Sequence, residues 1–200
     1  MPGAARWRGL RIGVLGGSFN PAHGGHRHIS LMALRVLALD EVWWLVSPQN
    51  PLKPVADMAP LADRLDGARA QAGDPRIRVS DLEARLGLRH TCDTLAALKA
   101  RFGQTRFVWL MGADNLIDIA RWRRWPEIFE AVPVAVFSRP TYSIRATASR
   151  AAQRFCRFRL PVGQARALAD KTPPAWLLWR GRAHPASASA LRAAAGRAGT

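Results

Sequence analysis

The residues with the clearest chemical potential follow the first apolar run of the chain. Residues 16–26 read Gly-Gly-Ser-Phe-Asn-Pro-Ala-His-Gly-Gly-His. Glycines directly after a strand let the backbone approach a phosphate closely. A helix that starts near Gly25 points its free N–H groups and the positive end of its dipole toward the same anion. This segment therefore predicts a phosphate-binding turn.

Two histidines, His23 and His26, lie three residues apart at the start of that helix and can direct their rings toward one point. Together with Gly16 and Gly17 they predict a cradle for a triphosphate. The segment lacks the lysine that a P-loop requires, and its glycine spacing differs from that of the dinucleotide-binding fingerprint. Both of these common phosphate loops are therefore disfavoured.

The elements that must position this cradle alternate along the chain. Apolar runs predict strands, and helical periodicity predicts helices between them. The strands are predicted at 10–15, 42–46, 77–79, 107–111, 132–137 and 175–179, and the helices at 25–39, 58–72, 91–102 and from about 189. Segment 142–163 is basic, and its pattern predicts no element.

Alternating strands and helices imply parallel strands joined by right-handed crossovers. We predict a single α/β domain over residues 1–200, with its core at about 10–193. Its architecture is predicted as a doubly wound, mostly parallel Rossmann-like sheet with helices on both faces. In such a sheet, ligands bind beyond the carboxyl ends of the strands, where the strand order reverses. Polar or glycine-containing segments follow four predicted strands, at 16–17, 47–50, 112–114 and 138–140, and we expect them to meet at one edge.

The composition adds a strong positive charge, with a formal net charge of +16 at pH 7 that comes almost entirely from arginine. Such a chain attracts polyanions, either nucleic acid or phosphorylated small molecules. A third interpretation is that the arginines are solvated and reflect a GC-rich genome. Segments typical of a zinc finger, a helix-turn-helix or an RNA-binding aromatic strand do not occur, which disfavours a specific nucleic-acid partner. No apolar run is long enough to predict a membrane span.

The two cysteines are Cys92 and Cys156. Residues 1–11 lack the apolar core of a signal peptide, so a cytoplasmic location is expected, where both thiols stay reduced. Each is interpreted as a small buried hydrophobic residue.

Residues 17–26 resemble the GxFxPxHxGH signature of the small α/β nucleotidyltransferases. Further segments are similar, in the same order, to motifs of the bacterial nicotinate-nucleotide adenylyltransferases, at 91–95, 111–116, 122–125 and 187–192. The resemblance spans roughly residues 11–192 and is most specific in the first and last motifs. It implies adenylyl transfer from ATP to nicotinic acid mononucleotide, which yields deamido-NAD and pyrophosphate in NAD biosynthesis.

The resemblance also implies roles for individual residues. Catalytic roles fall on His23, His26 and Arg192. The ATP-binding set is Gly16, Gly17, Ser18, Phe19, His23, His26, Ser189 and Arg192, and the mononucleotide-binding set is Asn50, Lys53, Thr91, Asp114 and Trp122. Mg²⁺ is expected to arrive with ATP, and no metal site built by the protein alone is expected.

Alternatives stay open for several of these residues. The histidines at 23, 26 and 28 could bind zinc, although no cysteine or carboxylate lies close in sequence. Asp114 could cap a helix, and Trp122 could pack against the core. Another adenylyl- or cytidylyltransferase, such as one acting on phosphopantetheine, or a basic nucleic-acid-binding protein are the alternative functions.

Three residues depart from the family pattern. Leu52 stands where many members have histidine, Cys92 where an aromatic or β-branched residue is usual, and Ser189 where a threonine is usual. None of these changes removes a catalytic group, and Ser189 keeps the hydroxyl.

Overall fold

The sheet is fully parallel and doubly wound, as the alternating pattern predicts. The computed structural model describes residues 4–48, 58–138 and 143–181. The strand order is β3-β2-β1-β4-β5-β6, so the order reverses between β1 and β4. The strands are β1 (Arg11–Gly17), β2 (Glu41–Val46), β3 (Ile77–Ser80), β4 (Arg106–Gly112), β5 (Val134–Ser138) and β6 (Trp176–Arg180).

Helices cover both faces of the sheet. They are α1 (Gly24–Val36), α2 (Leu61–Ala72), α3 (Leu82–Arg85), α4 (Thr91–Arg101), α5 (Ala113–Asp118), α6 (Trp125–Ala131), α7 (Ser143–Thr147) and α8 (Arg150–Arg154). Short 3-10 segments occur at Ala4–Trp7, Ile119–Arg121, Cys156–Phe158 and Val162–Asp170. Within the described residues, no helix is long and apolar enough to cross a membrane. The helix predicted from about residue 189 lies outside the described residues.

Two hydrophobic clusters lie on opposite faces of the sheet, because successive side chains of a strand point to opposite faces. Trp43 packs in the cluster covered by α4 to α8, and Trp44 in the cluster covered by α1 and α2. The tryptophans of the strands are core residues, with Trp179 half-buried against the second cluster. The prediction for the cysteines is half correct: both are free, and Cys92 is buried, but Cys156 is exposed. Cys156 starts a 3-10 turn with no buried residue, so its side chain has no core to enter.

Two strand boundaries differ from the prediction in ways that matter for the site. β1 continues to Gly17, because Gly16 and Gly17 still pair with Leu45 and Val46 of β2. The glycine pair is therefore the last part of the strand itself. β5 starts later than predicted, since the N–H of Val132 still bonds to the carbonyl of Ile128 at the end of α6.

The close fit of β1 against β4 gives a test at Gly16. A Cβ atom at Gly16 would lie 2.5 Å from Cη2 of Trp109, whose ring is buried and cannot move aside easily. We expect Gly16→Ala to lower the free energy of unfolding by about 1–3 kcal/mol, the usual effect of overpacking a core. Urea denaturation measures this change.

Gly17→Ala is the matched control, since its Cβ would meet the ring of Phe19 at 3.4 Å, an ordinary contact. A loss of stability at Gly17 as large as the loss at Gly16 would contradict the steric explanation.

Candidate active site

The candidate site lies where the strand order reverses. β1 ends at Gly17 and β4 ends at Gly112, and these neighbouring strands run parallel. α1 follows β1 after a short loop, and α5 starts directly after β4. The carboxyl ends of two adjacent parallel strands and the amino ends of two helices therefore meet at one edge, which is where ligands bind in open α/β sheets.

The two histidines close the first turn of α1 by bonding to its backbone. His23 is the N-cap residue, and its Nδ1 accepts a hydrogen bond from the N–H of Gly25 at 3.1 Å. Nδ1 of His26 accepts from the N–H of His23 at 3.2 Å, which completes a capping box. A ring whose Nδ1 accepts must carry its proton on Nε2 in the neutral form. Each imidazole is thereby fixed in the tautomer that has an Nε2–H donor.

A stack of rings holds these histidines in place. The ring centroids are 3.9 Å apart for His23 and His26, 4.6 Å for His26 and Phe19, and 5.0 Å for Phe19 and Trp44. Phe19 is buried and takes a left-handed backbone conformation with φ of 46°, which costs free energy for a residue with a side chain. Phenylalanine suits this position because its ring fills the space between His26 and Trp44.

A buried hydroxyl connects the same stack to the sheet. Trp44 of β2 donates its Nε1–H to Oγ of Ser30 at 2.7 Å, and the Ser30 hydroxyl donates to the carbonyl of His26 at 2.9 Å. Ser30 and Trp44 are fully buried. His23 itself is buried, with 8% of its surface exposed, so it contributes to packing as well as to capping.

A second pair of segments meets on the face of the sheet opposite to α1. Thr91 begins α4, and Trp122 lies in the turn before α6, where it packs against the core cluster and remains half-buried. Arg124 follows in that turn and donates from Nη2 to Sγ of Cys92 at 3.3 Å and to the carboxylate of Asp93. The Arg124 guanidinium therefore joins the first turn of α4 to the turn that contains Trp122.

Asp114 lies in the first turn of α5 and is exposed. The N-cap of this helix is Gly112, and no side chain makes a capping hydrogen bond there, so Asp114 does not act as the cap. A Cβ atom at Gly112 would overlap Oδ1 of Asp114. Gly112 is therefore required so that this carboxylate can fold back over the end of β4.

The remaining predicted residues divide in two groups. Gly16, Gly17, Ser18 and Phe19 form the end of β1 and the loop after it, next to His23 and His26. Asn50, Lys53, Ser189 and Arg192 lie outside the described residues. No group of three histidine, cysteine, aspartate or glutamate side chains that could hold a metal ion occurs within residues 4–48, 58–138 and 143–181.

Two arginines of the site region were not singled out from the sequence. Arg124 lies within the 122–125 motif but was given no role there, and nothing in the sequence places it against Cys92. Arg64 of α2 is buried, and its position did give a signal, because it lies on the same helical face as Leu65, Ala68 and Ala72. A charged residue on the apolar face of a helix indicates a buried polar contact.

A family model described as cytidylyltransferase-like matches residues 14–194. The parallel sheet and the glycine–histidine loop at its reversal point agree with this class of nucleotide-binding enzyme. Among curated relatives, proteins of Parvibaculum lavamentivorans and a Caulobacter species are each named as a probable nicotinate-nucleotide adenylyltransferase. The first is 54% identical over 92% of each chain, and the second is 50% identical over 92% of this chain and 97% of the relative. The chain belongs to the nicotinate-nucleotide adenylyltransferase family.

Solved structures support the fold independently. The nicotinic acid mononucleotide adenylyltransferase of Plasmodium falciparum, complexed with NaAD, superposes with a TM-score of 0.68. The identity is 16%, and the match covers 92% of this chain and 83% of that one. A structure described as a putative nicotinate-nucleotide adenylyltransferase from Vibrio parahaemolyticus has a TM-score of 0.52 at 23% identity, covering 64% of this chain and 72% of that one.

A buried carboxylate beneath α4 gives a pH test. Glu83 of α3 is 7% exposed and accepts a hydrogen bond from the hydroxyl of Thr94 at 2.8 Å. Burial raises the pKa of Glu83 above its usual value, and the Thr94 hydrogen bond only partly offsets this. Because the pKa of Glu83 is higher in the folded chain than in the unfolded chain, its contribution to stability is greatest at low pH and is lost as the pH rises through the raised pKa.

Glu83→Gln should remove the loss of stability that accompanies ionisation of the buried glutamate. We expect the variant to be more stable than the wild type at pH 7, with a difference that disappears below about pH 4, where the glutamate is protonated in both states. Chemical denaturation across pH 4–8 measures the difference. Glu130→Gln on exposed α6 surface is the control. A stability difference that does not change with pH would contradict the assignment.

Proposed function

We propose that this protein transfers the adenylyl group of ATP to nicotinic acid mononucleotide, producing deamido-NAD and pyrophosphate. The observation that supports this most directly is the capping box of His23 and His26, in which both rings accept through Nδ1 and so carry their proton on Nε2 at the positive end of α1. Relatives at 50–54% identity that are named for this activity support the same reaction.

The chemistry requires positioning and charge stabilisation. A phosphate oxygen of the mononucleotide attacks the α-phosphorus of ATP in line, a new P–O bond forms, and the bond to the β-phosphate breaks to release pyrophosphate. The attacking phosphate is already ionised at neutral pH, so no general base is needed. The rate then depends on holding the two phosphates in line and on stabilising the charge that develops on the leaving oxygens.

The residues of the loop after β1 are proposed to bind ATP. The Nε2–H groups of His23 and His26 donate to the triphosphate, while the glycines at 16 and 17 let the backbone approach it. Ser189 and Arg192 are proposed to hold the β- and γ-phosphates, the arginine through its planar fork.

Other residues are proposed to bind the mononucleotide. Thr91 and the turn at Trp122 are proposed to bind the nicotinate ring and its carboxylate. The hydrogen bonds of Arg124 join these two segments and so hold them together. Lys53 and Asn50 are proposed to bind the attacking phosphate. Asp114, in the first turn of α5 after β4, is proposed to lie beside the bound nucleotides.

Mg²⁺ is proposed to enter with ATP, where it neutralises phosphate charge. Mg²⁺ usually keeps several waters and binds through substrate phosphates, so the proposal requires no cage of protein ligands.

The direct test incubates the purified protein with MgATP and one acceptor at a time and measures pyrophosphate and the dinucleotide product. Nicotinic acid mononucleotide should give both products. Release of pyrophosphate with phosphopantetheine, and no release with either pyridine mononucleotide, would assign the protein to another transferase of the class. Binding to single-stranded or duplex DNA, measured at several salt concentrations, should be weak and without preference for either form.

The double role of His23 can be separated by two substitutions. His23→Ala removes both the cap and the Nε2–H, so we expect a loss of stability of about 1 kcal/mol and a fall in kcat of about 10²-fold or more. His23→Asn should restore the part of the stability that comes from the cap, because asparagine is a strong N-cap, without restoring kcat. Urea denaturation and steady-state kinetics measure the two effects.

The control is His28→Ala, five residues further along the chain and outside the capping box. If His23→Asn turned over at close to the wild-type rate, the ring would not be a donor to the transferring phosphates.

A further prediction concerns the acceptor. We expect nicotinic acid mononucleotide to be preferred over nicotinamide mononucleotide by about tenfold or more in kcat/KM. Donors that suit two carboxylate oxygens would face the N–H₂ of an amide, and buried donors left without an acceptor cost about 1–3 kcal/mol. Both acceptors compete in one reaction, and the product ratio is measured. Equal use of both acceptors, or preference for the amide, would mean that the pocket at Thr91 and Trp122 is wrongly assigned.

A further inference from the structure

Arg64 is a buried cation whose hydrogen bonds within the described residues all go to backbone carbonyls. It lies in the first turn of α2 with 4% of its surface exposed. Nε donates to the carbonyl of Ala59 at 2.9 Å, and Nη1 donates to the carbonyls of Ser18 at 2.8 Å and Ser47 at 2.7 Å. Nη2 donates to the carbonyl of Pro48 at 2.9 Å. Four of the five guanidinium N–H groups are thereby accounted for.

The four carbonyls belong to three separate segments. Ser18 lies in the loop after β1, which leads into His23 and His26. Ser47 and Pro48 start the segment after β2, which leads toward Asn50 and Lys53. Ala59 immediately precedes α2. The Arg64 side chain is therefore the point at which the loop on the ATP side and the loop on the mononucleotide side meet.

Two further hydrogen bonds close the same network. The N–H of Ser47 donates to the carbonyl of Gly17 at 2.9 Å, and the N–H of Ala59 donates to Oδ1 of Asn20 at 3.3 Å. Both bonds join the segments that Arg64 joins. A displacement of Ser47 relative to Gly17 would therefore also disturb the guanidinium contacts.

The charge of Arg64 has no carboxylate partner within the described ranges, where the ion pairs involve other arginines. Burial lowers the pKa of its guanidinium below the usual value, yet an arginine side chain remains charged at neutral pH. A buried cation is expensive unless hydrogen bonds compensate it. An apolar residue would fill the same space on α2 more cheaply, so the arginine serves the carbonyls that it holds.

We propose that Arg64 is a positioning residue for adenylyl transfer, which fixes the loops after β1 and β2 in one relative position so that the two substrate phosphates are aligned. This inference rests on the proposed function. Lysine cannot replace it, because a single ammonium nitrogen cannot reach four carbonyls arranged around a planar fork.

The test compares Arg64→Lys and Arg64→Met with Arg69→Met, a control on the same helix whose arginine is exposed and pairs with Asp66 at the surface. Kinetics are measured at a temperature where circular dichroism shows each variant fully folded. We expect kcat to fall about tenfold or more in both Arg64 variants, since small misplacements of reacting groups have large effects on rate. Arg69→Met should stay within twofold of the wild type.

A second measurement uses no substrate. Hydrogen exchange of peptides covering residues 17–20 and 46–48 should be faster in Arg64→Lys than in the wild type, whereas exchange in α4 should be unchanged. If Arg64→Met fails to fold, Arg64→Lys supplies both measurements.

The outcomes are distinct. A lower melting temperature with wild-type kcat in the folded variants would make Arg64 a structural residue only and would overturn the proposal. Unchanged exchange in both loops would also overturn it. If the wild-type protein shows no adenylyl transfer, the proposed function fails, and the exchange measurement still reports on whether Arg64 fixes the loops.

Discussion

The first turn of α1 has to satisfy its own backbone N–H groups and also present donors to an anion, and the arrangement of the site depends on how it does both. Aspartate would cap the helix equally well, but its second oxygen is an acceptor that would repel an anion, and serine has only one polar side-chain atom. Imidazole has two nitrogen atoms on opposite sides of the ring. In His23 and His26, one nitrogen accepts from the helix, which leaves the other as a donor. Phe19, Trp44 and Ser30 pack behind the rings and preserve this orientation.

Charges are distributed unevenly along the strands. At the amino ends of β1, β2 and β4, arginines pair with carboxylates: Arg11 and Arg106 share Asp170, and Arg78 pairs with Glu41. At the carboxyl ends of β1 and β2, Arg64 meets carbonyl groups only. The arginines at the amino ends are thus neutralised in ion pairs, whereas Arg64 at the carboxyl ends has no carboxylate partner within the described residues. An unpaired cation there would attract an anionic substrate.

The sheet and its reversal point could be predicted because most strands contain a continuous apolar run flanked by glycine, proline or polar residues. Five short helices were not predicted, since helices of four to seven residues are too short to show a period. They are α3, α5, α6, α7 and α8. The loop of His23 was found from residue types alone, but its capping bonds were not. That geometry depends on which imidazole nitrogen faces the backbone, and residue type does not specify it. Arg64 and Arg124 act on segments distant in sequence, so their partners emerge only from the folded chain.

The difference between the two thiols has a practical consequence. Cys92 lies buried under Arg124, while Cys156 is exposed just after α8, a helix that packs against α5. α5 starts at the end of β4, beside Asp114. A maleimide dye under native conditions should therefore attach to Cys156 alone, without any prior mutation of the chain. The natural sequence already offers a single labelling point close to the helix that borders the site, so fluorescence could follow substrate binding without a genetically introduced handle.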